Sequence, residues 1–90
     1  MRLRVEFTTE PFDLDDTPDH AVVAREVVTG AALEAVDVGP FGNTAEGGAE
    51  QVLGAVDALL RRSLAAGATR VSLQVNVLPG DGEEPGGRGV

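Results

Sequence analysis

Two runs of alternating residues bracket this chain. Near its start Leu3, Val5 and Phe7 alternate with Arg4, Glu6 and Thr8, and near its end Val71, Leu73, Val75 and Val77 alternate with Ser72, Gln74 and Asn76. A period of two is the mark of a strand with one face against a core and the other turned away. Between these runs lie two segments of period 3.6. Over residues 18–33, Val23, Ala24, Val27, Val28 and Ala31 fall on one stripe, with Arg25, Glu26 and Thr29 opposite. Over 49–66, Val52, Val56, Leu59, Leu60 and Ser63 share a face, while Asp57, Arg61 and Ala65 lie opposite. The expected frame is strand, helix, a central segment, helix, strand.

The central segment is Val36-Asp37-Val38-Gly39-Pro40-Phe41-Gly42-Asn43-Thr44-Ala45-Glu46-Gly47. Val36 and Val38 flank Asp37 as a strand. Gly39, Pro40, Gly42 and Asn43 supply the backbone angles of a reversal. Thr44-Ala45-Glu46 returns as a second strand, and Gly47 and Gly48 release the chain into the next helix. The polar residues here have two readings: a turn in which Asn43 and Thr44 bond their own backbone, or a ligand rim to which Glu46 adds a carboxylate.

Strand, helix, strand, strand, helix, strand is the order of the split βαβ arrangement. It predicts an α+β, ferredoxin-like βαββαβ domain over 1–78: a four-stranded antiparallel sheet with both helices on one face. The right-handed crossover rule selects this topology over its mirror image. Residues 79–90, rich in Gly, Pro and acid, read as a disordered tail.

Local signals refine the frame. Thr17-Pro18-Asp19 reads as a helix start, with Thr17 as the N-cap, proline at the first helical position and an acid at the positive dipole end. Gly67 is the expected cap at the other end of the second helix. The first strand extends towards Pro11, which has no hydrogen for a ladder. Glu10, Asp13, Asp15, Asp16 and Asp19 form an acidic stretch, but Pro18 stands where a calcium loop needs glycine, so it reads as a solvated loop. His20, in the first helical turn, reads as an exposed polar residue, a ligand role being the alternative.

Composition sets the function classes. Fifteen acidic residues against seven basic give a net charge of −8, a surface that repels phosphate backbones and anionic lipid. No run approaches a membrane span, and Met1-Arg2-Leu3-Arg4 is not the start of a signal peptide, so a cytoplasmic protein without nucleic-acid or membrane partners is expected. With no cysteine and one histidine, neither a thiolate nor a standard zinc site can form, and no metal or cofactor is expected. Ser63 and Ser72 lack a nucleophile motif, and Gly39-Pro40-Phe41-Gly42 is not followed by the Lys-Ser/Thr of a phosphate loop. No catalytic residues are expected, and the protein is not read as an enzyme. Aromatics are only 3% of the chain, so the core is built of smaller side chains, and self-association is a natural way to gain burial.

Residues 38–47, followed by Val52-Leu53-Gly54-Ala55-Val56 and by Ala66-Gly67-Ala68-Thr69-Arg70-Val71, resemble the thiamine-binding, YkoF-like family. The likeness covers about Val5 to Val77. Gly39, Gly42, Thr44, Glu46 and Gly47 match the family's hairpin, and Asn43 stands where its members carry Thr. The resemblance implies non-catalytic binding of thiamine or its hydroxymethylpyrimidine part by a homodimer or homotetramer. The alternative is an oligomeric structural or regulatory interaction module with no small ligand.

The polar residues placed to serve such a ligand are Glu6, Thr8, Asn43, Thr44, Glu46, Gln74 and Asn76, with Phe41 or Phe12 as an apolar wall. Glu6, Thr8, Gln74 and Asn76 share a face by parity. Whether Glu46 joins them depends on the hairpin register. That face, with Arg4 and Ser72, is also where the oligomer contact is expected.

Overall fold

The computed structural model describes residues 1–11, 15–39 and 42–79. The elements are β1 (Arg2–Glu10), α1 (Asp19–Gly30), β2 (Ala35–Val38), β3 (Asn43–Gly48), α2 (Ala49–Ala65) and β4 (Arg70–Leu78). The strands form one antiparallel sheet in the order β2-β3-β1-β4. This is the ferredoxin-like α+β fold that the order of periodicities predicts. Gly80–Val90, Phe12 and Phe41 fall outside the described residues, and with them nearly all of the expected disordered tail and both candidate aromatic walls.

Both helices lie on one sheet face, because a single core joins them to it. Leu3, Val5 and Phe7 of β1 and Ala45 of β3 pack with Ala24, Val27 and Val28 of α1 and with Val52, Ala55 and Leu59 of α2. The intervening Arg4, Glu6 and Thr8 are only partly buried. Each fully buried Val or Leu contributes about 1.5–3 kcal/mol, which a core this poor in aromatics needs at every position.

Several local expectations change. α1 ends at Gly30 and not at residue 33, because Ala31 turns to an extended backbone. Leu33 then folds onto β3, where a Cβ on Gly47 would come within 3.1 Å of its Cδ2. Gly47 is therefore a strand residue paired with Leu3, and its missing side chain makes room for Leu33. The N-cap of α1 is Pro18, one place later than Thr17, and it makes no side-chain cap bond. Its carbonyl accepts from the amides of Ala21 and Val22 instead.

At the end of α2 the cap is as expected. Gly67 has φ of 110°, its amide donates to the Leu64 carbonyl, and the Ala68 amide donates to that of Ser63. This pair of bonds is a Schellman motif. The buried face of α2 runs through Val52, Ala55, Leu59 and Ser63, with Val56 and Leu60 at its margin.

His20 is the largest departure. It is buried rather than exposed, because positions 20, 24, 27 and 28 share one helical face. Its Nδ1 lies 2.8 Å from the Thr9 hydroxyl, and its Nε2 2.9 Å from the Pro11 carbonyl.

The apolar face of β4 is the second departure, since the helices cover only part of it. Leu3 is 4% exposed, whereas its cross-strand partner Val77 is 64% exposed and Val75 is 38% exposed. Alternation shows which way a strand faces. It does not show whether a helix reaches that far.

Candidate functional site

The face of the sheet away from the helices carries the polar residues in rows set by strand pairing. One row runs Asp37, Thr44, Glu6, Gln74 across β2, β3, β1 and β4. The next, towards the start of β1, runs Ala35, Glu46, Arg4, Asn76. On the other side, Thr8 pairs with Ser72. The register question is thereby answered: Glu46 stands opposite Arg4 and shares the outer face.

A shallow depression of about 420 Å³ is cut into this face where β1, β3 and β4 meet. Its polar lining is Glu6, Thr8, Asn43, Thr44, Ser72 and Gln74, and Phe7, Leu73 and Gly42 complete it. The volume falls within the range of small-molecule sites, roughly 300–1,000 Å³. On the outer face the set offers a carboxylate, three hydroxyls and the Gln74 amide, with no basic side chain among the described residues of the lining.

The expected site residues divide accordingly. Glu6, Thr8, Asn43, Thr44 and Gln74 line the depression, while Glu46 and Asn76 sit one row away, beside Arg4. Asn43 is the first residue of β3 and not part of the turn, and it pairs with Phe7, so parity turns it towards the helix side. Its side-chain amide donates to the Phe7 carbonyl at 3.3 Å, and its Oδ1 is buried with no partner among the described residues. Ser72 is an addition to the expected site residues. Its parity with Gln74 and its pairing with Thr8 are the signals that find it.

Charge on this face is organised about two arginines. Arg4 Nε lies 3.7 Å from both Glu6 Oε2 and Glu46 Oε2. Arg2 Nε donates to Glu34 Oε1 at 3.0 Å, and its Nη2 lies 4.0 Å from Glu46 Oε1. These side chains are between 30% and 57% exposed, so each pair is worth about 0–1 kcal/mol. Arg4 Nε makes no hydrogen bond among the described residues, and its two carboxylates stand beyond bonding distance. Glu6 is thus only loosely held, and it is the acid that opens onto the depression.

Among the described residues the face carries no nucleophile–base pair. His20, the one imidazole, lies within the helix-covered core with both ring nitrogens engaged. Among the described residues no cluster of three metal-ligating side chains forms. Gln74 and Asn76 bond each other at 3.2 Å and are otherwise exposed. The arrangement is suited to hold a polar, planar or cationic molecule by hydrogen bonds.

Comparison with solved structures bears on the fold. The chain is similar to a domain of unknown function, DUF77, from Bacillus cereus, with a TM-score of 0.66 and 24% identity over 92% of this chain and 82% of that one. It is similar to the hypothetical protein MJ1052 from Methanocaldococcus jannascii, with a TM-score of 0.64 and 19% identity over 92% of this chain and 84% of that one. These two show a shared fold. A third likeness is to TM0486 of Thermotoga maritima, whose description proposes a role in thiamine biosynthesis or salvage. There the TM-score is 0.60 and the identity 25%, over 84% of this chain and 81% of that chain. No protein-family model and no curated protein matches the sequence. Among the described residues no helix is long and apolar enough to cross a membrane.

Proposed function

We propose that this protein binds thiamine, or the hydroxymethylpyrimidine part of it, without transforming it, in the depression on the outer sheet face. The observation that carries this reading is the lining itself: Glu6 set among neutral donors and acceptors, with no basic side chain among its described residues. An aminopyrimidine has an exocyclic amino donor and ring-nitrogen acceptors, and thiamine adds a permanent positive charge. Glu6 accepts from the amino group or faces the cation. The hydroxyls of Thr8, Thr44 and Ser72 and the amide of Gln74 serve the ring nitrogens and the hydroxyl arm. The likeness to TM0486, whose description proposes a role in thiamine biosynthesis or salvage, supports a thiamine-related reading.

Calorimetric titration tests the reading, with thiamine and hydroxymethylpyrimidine as separate titrants and a pyrimidine lacking the amino group as control. Saturable binding of the first two and none of the control is the expected result. Flat traces with both would sink it. A second reading, an interaction module with no small ligand, draws on the exposed Val75 and Val77 of β4.

A further inference from the structure

The charges of the outer face form a chain of alternating sign. Arg2 Nε donates to Glu34 Oε1 at 3.0 Å, and Arg2 Nη2 lies 4.0 Å from Glu46 Oε1. The other carboxylate oxygen of Glu46 lies 3.7 Å from Arg4 Nε, and that same nitrogen is 3.7 Å from Glu6 Oε2. Across the sheet the order is therefore Glu34, Arg2, Glu46, Arg4, Glu6, with an acid at each end. The two ends differ. Glu34 precedes β2 at the sheet margin and is hydrogen-bonded to Arg2. Glu6 stands on the central strand β1, its one basic neighbour among the described residues is Arg4, and it lines the depression.

Arg4 is shared between two acids and committed to neither. Its Nε is buried, makes no hydrogen bond among the described residues, and stands at the same distance from both carboxylates. A charged hydrogen bond between a guanidinium and a carboxylate is shorter, roughly 2.7–2.9 Å. The side chains of Arg4 and Glu6 are 42% and 46% exposed, so water weakens the attraction between them. A ligand cation seated at Glu6 competes with Arg4 for that carboxylate, and Glu46 is already placed to hold the arginine.

We infer that Arg4 is a positioning residue of this site, acting through Glu6. It neutralises Glu6 when no ligand is bound, and it leans to Glu46 when the positive ring of thiamine takes its place. A bound cation completes the alternation, leaving as many positive as negative charges along the chain. The exchange serves a cationic ligand and gives nothing to a neutral one, so the site's preference is for thiamine over its uncharged pyrimidine part. This inference rests on the reading that the depression takes thiamine.

Calorimetric titration of the full chain with thiamine and, separately, with hydroxymethylpyrimidine tests it, in the parent and in Arg4→Gln, with the fold of each variant checked by circular dichroism. Arg4→Gln is expected to bind thiamine roughly two- to fivefold tighter, the scale of one exposed ion pair. It is expected to bind hydroxymethylpyrimidine as the parent does. The gain should shrink as salt is raised and vanish in a Glu6→Gln background, where no carboxylate is left to contest. Arg4→Lys keeps a cation at this place and is expected to restore the affinity of the parent. Arg2→Gln takes the same charge from the same face, but Arg2 meets Glu34 and Glu46, and this variant is expected to match the parent within about twofold. Thiamine binding by Arg4→Gln that equals the parent's or is weaker overturns the inference and leaves the proposed ligand in place. So does a gain shared by hydroxymethylpyrimidine, or one that persists without Glu6. A parent that binds no thiamine overturns the inference, and one that binds neither titrant overturns the ligand reading as well.

Discussion

His20 ties the end of β1 to the start of α1, its Nδ1 standing 2.8 Å from the Thr9 hydroxyl and its Nε2 2.9 Å from the Pro11 carbonyl. A carbonyl only accepts, so Nε2 carries a hydrogen. In the neutral ring Nδ1 then accepts from the Thr9 hydroxyl. Both His20 and Thr9 are buried, so each bond is made away from competing water. The histidine is thereby accounted for as a structural clamp at the β1–α1 crossover.

The first prediction follows from the cost of unpairing such groups. His20→Phe fills the space but strands the Thr9 hydroxyl and the Pro11 carbonyl, and a buried group left without a partner costs about 1–3 kcal/mol. Thr9→Val alone is expected to cost less, since it leaves only Nδ1 without a donor. The double variant is expected to fall short of the sum of the singles, because both remove the same bond. Urea unfolding of the three variants checks this. Strict additivity would mean that the pair does not interact.

A pair of glycines should respond to alanine with opposite signs. Gly67 has φ of 110°, and a Cβ there would meet nothing within 4 Å, so the penalty in Gly67→Ala is purely one of backbone conformation, about 1–2 kcal/mol. Gly54 lies inside α2 at an exposed position with equally open surroundings. Gly54→Ala is expected to stabilise by about 0.5–1 kcal/mol, through helix propensity and a less flexible unfolded chain. Thermal melts of the two variants beside the parent give the signs directly, and equal shifts in one direction would contradict the argument.

Leu59 is among the largest fully buried side chains, at the centre of the face that α2 turns to the sheet. Leu59→Ala removes buried contacts and leaves a cavity, at a cost of about 2–5 kcal/mol. Leu53, on the same helix, is 51% exposed, and Leu53→Ala is expected to change stability by no more than about 0.5 kcal/mol. Parallel denaturant curves check the contrast. A Leu53 loss as large as that of Leu59 would mean that Leu53 is covered in solution.

How much of this was legible in the sequence depends on what each pattern encodes. The alternation of Leu3-Val5-Phe7 and of Val71-Leu73-Val75-Val77 gives strand type and face, and with two helical stripes that suffices for the topology. It carries no information on coverage, so the exposure of Val75 and Val77 at the edge was out of reach. The placement of Glu46 was ambiguous for a related reason: parity within a hairpin is fixed only when the pairing Val38↔Asn43 is known. That same pairing turns Asn43 away from the outer face. His20 was readable, since Ala24, Val27 and Val28 repeat from it at helical spacing, but a polar residue in a first turn invites a solvent-facing assignment. Ser72 was equally readable by parity with Gln74.

The last prediction separates the two carboxylates of the outer face. Both share it, yet only Glu6 lines the depression, while Glu46 stands across from Arg4 in the next row. If thiamine binds there, Glu6→Gln keeps the shape and removes the charge. Losing a charged hydrogen bond costs about 1.5–3 kcal/mol, a roughly tenfold to hundredfold weakening. Glu46→Gln leaves the lining intact and is expected to change the affinity by less than about threefold, the scale of an exposed ion pair. Titrating hydroxymethylpyrimidine as well shows what Glu6 does. That ligand has the amino group but not the positive charge. An equal loss with both ligands assigns Glu6 to the amino group, and a loss confined to thiamine assigns it to the cation. A larger loss in Glu46→Gln than in Glu6→Gln would move the ligand one row along the sheet, towards Arg4 and Asn76. Parent-like affinity in both variants would remove the ligand from this face altogether.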